Sequence, residues 1–201
     1  MSKRIRVQIC GFRRPEEARA AVEAGADMVA VVLCPARRRV PLPLAAEILS
    51  EAPAGVRKVG IFVNPRFEEI AAAVEIAGIE VAQLNGDESP EFCDSLEVEA
   101  MKSFRVTDAG VVPDPFAYAT PIKHVDAPHV VGGAGIEWDW SRAAELATKF
   151  DLVLAGGLNP DNVKRAIEAV SPWGVAVSSG VETDGDKDIG KIHRFVEAAK
   201  S

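Results

Sequence analysis

The run Leu152-Val153-Leu154-Ala155-Gly156-Gly157-Leu158-Asn159-Pro160-Asp161-Asn162-Val163-Lys164-Arg165-Ala166-Ile167-Glu168-Ala169-Val170 decides the fold. Leu152–Leu154 is a short apolar run that stops at two glycines, the pattern of a buried strand entering a tight loop. Asp161–Val170 then reads as a helix, capped around Asn159. Val175–Val177 is the next apolar strand, and it too runs into a glycine-bearing loop, Ser178-Ser179-Gly180-Val181-Glu182. Strand, loop, helix and strand in that order require parallel pairing through a crossover.

The same rhythm extends back to the N-terminus. Val7–Cys10 reads as a strand, and Pro15–Ala24 as a helix with proline at its start and Gly25 past its end. Met28–Leu33 is valine-rich and continuously apolar, which marks a strand buried on both faces. Leu44–Glu51 (helix), Val59–Val63 (strand), Phe67–Ala77 (helix), Val81–Leu84 (strand) and Glu88–Leu96 (helix) follow. Glu99–Ser103 is a weaker strand. The stretch 106–120 is rich in proline and aspartate and carries no convincing helix. Ile122–Val125 (strand), Trp140–Thr148 (helix) and a closing helix over Asp188–Ala199 complete the pattern.

Eight strands in units of about 25 residues fit a single (β/α)8 barrel spanning residues 1–201, near the lower size limit of that architecture. A doubly wound open sheet is the alternative. It rarely needs eight strands in this length, and no GxGxxG follows the first strand. No linker or shift of composition divides the chain.

Composition narrows the functional classes. The chain has 201 residues, 48% of them hydrophobic, with 23 basic against 30 acidic side chains and a net charge of −7. That charge repels phosphate backbones, so nucleic acid is not an expected partner. No apolar run reaches the ~18–20 residues that cross a bilayer, so a membrane partner is not expected either. The polar start Met1-Ser2-Lys3-Arg4 is no secretory signal. Cys10, Cys34 and Cys93 are odd in number and widely spaced, which argues against disulfides and a cysteine zinc site and for a reducing cytoplasm.

In a barrel of this kind chemistry sits at the C-terminal ends of the strands. Three glycine-rich segments fall there: Gly132-Gly133-Ala134-Gly135, Ala155–Pro160 and Ser178–Glu182. None holds a lysine or arginine, so an anion would be gripped by main-chain N–H groups, and a phosphate is expected there. One such pair would be an ordinary tight turn; three on strand ends point to phosphate. Cys10 ends the first strand and Asp126 the sixth, a candidate base and a candidate acid. A lone buried cysteine is more often an inert small hydrophobe, and a lone strand-end aspartate a cap. One of Arg37, Arg38 and Arg39, after the second strand, is a candidate clamp for a substrate carboxylate. His124, His129 and His193 show no metal-binding spacing, and Trp138 and Trp140 are expected to cover apolar surface.

Taken together these segments resemble the phosphoribosylanthranilate isomerase family of tryptophan biosynthesis, nearly end to end. Gln8-Ile9-Cys10-Gly11 resembles its K-I-C-G, Ala24–Asp27 its A-G-A-D, and Val59–Asn64 its V-G-V-F-V-N. Gln83-Leu84 begins its Q-L-H-G, and Val125-Asp126-Ala127 matches L-D-A. Gly132–Gly135 with Trp138-Asp139-Trp140 resembles G-G-T-G…F-D-W. Leu154–Val163 and Ser178–Glu182 with Lys187-Asp188 are nearly unchanged.

The resemblance implies a (β/α)8 barrel and an Amadori rearrangement of N-(5-phosphoribosyl)anthranilate without metal or organic cofactor, by a monomer or homodimer. It implies that Asp126 protonates the furanose ring oxygen and that Cys10 takes the C2 proton. It puts Arg38 (or Arg39), Gln83 and Asn85 against the substrate, and Gly133, Ala134, Gly135, Gly156, Gly157, Ser179 and Gly180 around its phosphate. Three departures stand out. Asn85 replaces the histidine of Q-L-H-G, Ala176 replaces the aspartate before V-S-S-G-V-E, and Ala36-Arg37-Arg38 replaces S-P-R. These leave two other readings open: a diverged paralogue acting on another phosphorylated aminosugar or phosphate ester, and a non-catalytic binder of phosphorylated ligands. If the chain is the isomerase, restoring the family's histidine and aspartate by Asn85→His with Ala176→Asp is expected to raise its activity.

Overall fold

The computed structural model describes residues 4–107, 110–126 and 140–201. Eight parallel strands close into a barrel: β1 (Arg6–Cys10), β2 (Met28–Val32), β3 (Arg57–Phe62), β4 (Val81–Leu84), β5 (Glu99–Thr107), β7 (Ile122–Asp126), β8 (Asp151–Ala155) and β9 (Gly174–Val177). Each pairs with the next, and β9 pairs with β1 to seal the ring. A short strand, β6 (Gly110–Val112), runs antiparallel to the end of β5 and lies outside the ring.

Alternation along each strand divides the apolar residues into two cores, as a pleated strand must. Cys10, Met28, Ala30, Val59, Ile61, Val81, Met101, Ile122, Val153, Ala155 and Ala176 pack together inside the barrel. Val7, Ile9, Val29, Val31, Phe62, Phe104, Leu152 and Leu154 face outward, against the helices. These are α1 (Pro15–Glu23), α2 (Leu42–Ser50), α3 (Phe67–Ala77), α4 (Pro90–Asp94), α5 (Ser141–Ala147), α6 (Val163–Val170) and α7 (Ile189–Lys200). No helix among the described residues is long and apolar enough to cross a membrane.

Strand β5 and helices α4 and α6 differ from expectation, each for a local reason. The β5 strand runs to Thr107, four residues beyond the expected end, because β6 pairs with its last three residues. The proline-rich stretch, as expected, carries no α-helix among its described residues, only a 3-10 turn at Pro115–Ala117. Helix α4 is shorter than Glu88–Leu96: Ser89 caps it, accepting from the Phe92 N–H, and the Glu88 carboxylate is drawn elsewhere. Helix α6 starts two residues late. Asn159 Oδ1 accepts from the N–H groups of Asp161 (2.8 Å) and Asn162 (3.2 Å), which forms a turn ahead of the helix.

Candidate active site

Cys10 is the last residue of β1 and points into the barrel, 8% exposed. Its Sγ accepts a hydrogen bond from Gln8 Nε2 at 3.0 Å. Gln8 lies two residues earlier on the same strand and therefore on the same face. Burial pushes the Cys10 thiol up to about 11. The Gln8 hydrogen bond and the charges of Lys187 and Arg38 oppose that rise, and the Asp126 carboxylate adds to it. Asp126 ends β7, three strands around the ring from β1, and is half-buried. The expected base and acid thus share one barrel mouth.

Of the three consecutive arginines, Arg38 is the half-buried one; Arg37 and Arg39 are exposed. The alkyl part of Arg38 lies against Gly11, whose φ of +79° suits glycine: a Cβ there would come within 2.6 Å of Arg38 Cδ. Its guanidinium is already engaged. Arg38 Nε and Nη2 donate to the two carboxylate oxygens of Glu182 at 2.6 and 2.7 Å. Glu182 also accepts from Lys187 Nζ at 2.9 Å, and Lys187 donates to the Ser178 carbonyl at 2.8 Å. Burial works against the Glu182 carboxylate, yet the bonds from Arg38 and Lys187 hold it below the usual carboxylate range. The pattern of the three arginines alone could not reveal this grip, because Glu182 comes from the far end of the chain.

Gln83 and Asn85 sit at the end of β4. Gln83 is buried, and both ends of its amide are used within the chain: Oε1 accepts from Gln8 Nε2 (2.7 Å), and Nε2 donates to Asn85 Oδ1 (3.1 Å). Asn85 is exposed at the mouth. The loop that carries it is pinned by a buried ion pair the sequence did not announce. Lys102 Nζ donates to Glu88 Oε2 and to the Gly86 carbonyl, both at 2.6 Å. The Glu88 carboxylate in turn accepts from the N–H groups of Asn64 (2.7 Å) and Gly86 (3.0 Å). One carboxylate thereby ties the loops after β3 and β4 together.

The loops after β8 and β9 also meet. Gly156 and Gly157 have φ of +87° and +66°. A Cβ on Gly180 would fall 1.8 Å from the Leu158 carbonyl oxygen, so only glycine lets the second loop seat on the first. Gly180 thus seats directly on the loop that carries Gly156 and Gly157. Gly133, Ala134 and Gly135, like Trp138 and His129, lie outside the described residues.

Ala176, in β9, is in register beside Gln8 and presents only a methyl group to the interior. His124 is buried on β7 and His193 is exposed on α7. Among the described residues no three His, Cys, Asp or Glu side chains converge to hold a metal ion. All three cysteines are free. Gln8, beside Cys10, is a further residue that the sequence pattern does not single out. The period of two that aligns it with Cys10 was the available signal.

The family model for N-(5'-phosphoribosyl)anthranilate isomerase matches residues 7–198. The N-(5'-phosphoribosyl)anthranilate isomerase of Listeria monocytogenes is 42% identical over 198 residues, which cover 96% of this chain and 98% of that protein. The crystal structure of phosphoribosyl anthranilate isomerase from Thermotoga maritima superposes with a TM-score of 0.86 at 34% identity, covering 98% of each chain. A phosphoribosyl anthranilate isomerase solved in complex with reduced 1-(o-carboxyphenylamino)-1-deoxyribulose 5-phosphate superposes with a TM-score of 0.83 at 33% identity, again over 98% of each chain. On a match that runs from the first strand to the last helix, this chain belongs to the N-(5'-phosphoribosyl)anthranilate isomerase family.

Proposed function

We propose that the chain isomerises N-(5'-phosphoribosyl)anthranilate to 1-(2-carboxyphenylamino)-1-deoxyribulose 5-phosphate, with Asp126 as general acid and Cys10 as general base. The observation that carries the reading is the placement of both groups at strand ends in one barrel mouth, beside the two adjoining glycine loops. Asp126 in its acid form gives its proton to the furanose ring oxygen, and the C1–O bond breaks as the anthranilate nitrogen's lone pair forms a C1=N iminium. Cys10 as thiolate takes the C2 proton, and the electrons of that C–H bond neutralise the iminium to give an enolamine. Protonation of the enolamine at C1 with loss of the C2 hydroxyl proton gives the ketone.

Burial, which pushes the Cys10 thiol up to about 11, leaves little of it as thiolate at neutral pH. The iminium supplies what is missing: a positive charge beside the sulfur favours the thiolate at the step that needs it. Main-chain N–H groups of Gly156, Gly157, Ser179 and Gly180 hold the phosphate. Arg38, steadied by Glu182 through Nε and Nη2, meets the anthranilate carboxylate, with Asn85 at the same rim. Gln83 acts on the substrate through Asn85. A reducing cytoplasm suits a catalyst that depends on a free thiol. The assembly is a monomer or a homodimer, which sedimentation equilibrium will distinguish.

The test is loss of substrate fluorescence on mixing with freshly made phosphoribosylanthranilate. Cys10→Ala and Asp126→Asn are each expected to lower kcat by ~10²–10⁴ with the fold intact by circular dichroism. Near-normal turnover in either variant would remove that residue from its role. No turnover by the unmodified protein above spontaneous breakdown would remove the activity itself.

A further inference from the structure

We propose that Gln8 is a positioning residue for Cys10: it holds the sulfur's base form with an N–H that is aimed by an amide chain, Asn85–Gln83–Gln8, running from β4 to β1. This rests on the reading of Cys10 as the base.

The polarity of the chain follows from its bonds. Gln83 Nε2 donates to Asn85 Oδ1 at 3.1 Å, so Gln83 Oε1 is the atom that faces Gln8. It accepts one hydrogen of Gln8 Nε2 at 2.7 Å, and the other hydrogen goes to Cys10 Sγ at 3.0 Å. Turning the Gln8 amide over would set oxygen against oxygen at Gln83. Gln83 therefore fixes which end of Gln8 meets the sulfur.

The arrangement carries a cost that supports the reading. Gln8 is fully buried, and its Oε1 has no hydrogen-bond partner among the described residues. Buried polar atoms are nearly always paired, and an orphan in a native interior calls for an explanation. Here the amide leaves its oxygen unpartnered and commits both hydrogens, one of them to sulfur. A thiolate gains more from that hydrogen than a thiol does, because a bond to a charged acceptor is the stronger one. Asp126 on β7, Arg38 after β2 and Lys187 beyond β9 act on the sulfur through charge, and Gln8 is the hydrogen-bond donor the described residues offer it. The neighbouring position across the β1–β9 seam, Ala176, supplies neither charge nor hydrogen bond.

Alkylation of Cys10 by iodoacetamide, followed peptide by peptide by mass spectrometry from about pH 7 to 9, reads its thiolate fraction independently of turnover. Cys34, half-buried outside the barrel interior, is the internal reference. Gln8→Met, in folded protein, is expected to slow Cys10 alkylation about tenfold relative to Cys34 and to lower kcat by a similar factor with KM unchanged. Gln83→Met, which leaves Gln8 in place without the acceptor that orients it, is expected to give a smaller loss in both readouts and decides the matter if Gln8→Met does not fold. Unchanged Cys10 alkylation overturns the proposal. So does a fall in kcat without a fall in alkylation, since Gln8 would then act elsewhere. Cys10→Ala tests the underlying assignment separately: normal turnover there removes Cys10 as the base, while the alkylation comparison still reports whether Gln8 holds its thiolate.

Discussion

His124 lies inside the barrel, buried, with Nδ1 2.9 Å from Ser103 Oγ. Burial lowers its pKa from the ordinary 6.5, with the nearby Asp126 carboxylate offsetting part of the drop. The unfolded chain therefore takes up a proton that the folded chain refuses. Stability from this group is complete above 6.5 and is lost as pH falls from there toward the folded value, at no more than about 1.4 kcal/mol per pH unit for one group. His124→Gln can still bond Ser103 but does not titrate. The gap in Tm between the unmodified protein and the variant is expected to narrow between pH 7 and about pH 5. A gap that stays constant would mean His124 keeps its ordinary titration in the folded state. At this scale the sequence was legible where chemistry and position coincide. Cys10 and Asp126 could be singled out as candidates because strand ends locate them. That Arg38 would be the inward arginine, and that Glu182 would grip it, depended on contacts between distant segments.

Secondary structure follows the apolar pattern closely where strands are buried on both faces, as at Met28–Val32 and Val81–Leu84. It departs where side chains bond the backbone, as Asn159 does ahead of α6 and Glu88 ahead of α4. The glycine loops were legible as loops, and their mutual fit was not. Gly180 packs so closely on the Leu158 carbonyl that a Cβ would lie 1.8 Å from the oxygen, a main-chain atom that cannot swing aside. Gly180→Ala is thus expected to part the loops after β8 and β9 and to raise KM for phosphoribosylanthranilate at least ~10-fold, since phosphate contacts contribute binding in ground and transition states alike. Gly55→Ala is the control for backbone strain alone. Gly55 has φ +95° and open space around its missing Cβ, and it lies at the opposite end of the barrel, just before β3. That variant should cost about 1–2 kcal/mol in stability and leave KM unchanged. Equal KM values for the two variants would mean that the loop junction does not shape the site.

Closure of the ring places β9 beside β1, and with it Ala176 beside Gln8. No reading of local pattern could pair these residues, because only the closed barrel joins the two ends of the chain. Where the family's motifs have lysine before I-C-G and aspartate before V-S-S-G-V-E, this chain has Gln8 and Ala176. Read separately, the loss of the aspartate suggests a weakened site that Ala176→Asp would repair. Read across the seam, the two changes replace an adjacent cation and anion by a neutral amide and a methyl group. An aspartate introduced by Ala176→Asp alone would enter the interior facing a fully buried Gln8 whose own oxygen already lacks a partner among the described residues. Its charge would also disfavour the Cys10 thiolate. Ala176→Asp alone is therefore expected to lower both Tm and kcat/KM, and adding Asn85→His should not rescue it. Gln8→Lys alone buries an unpaired cation and should also destabilise. Together, Gln8→Lys and Ala176→Asp can satisfy each other, so the double variant is expected to be more stable than the sum of the single effects by about 1–3 kcal/mol. Unfolding of the four proteins in urea, with kcat/KM measured on each, completes the cycle. Additive effects, or a gain of activity from Ala176→Asp alone, would show that position 176 acts independently of Gln8 and that the two departures are unrelated.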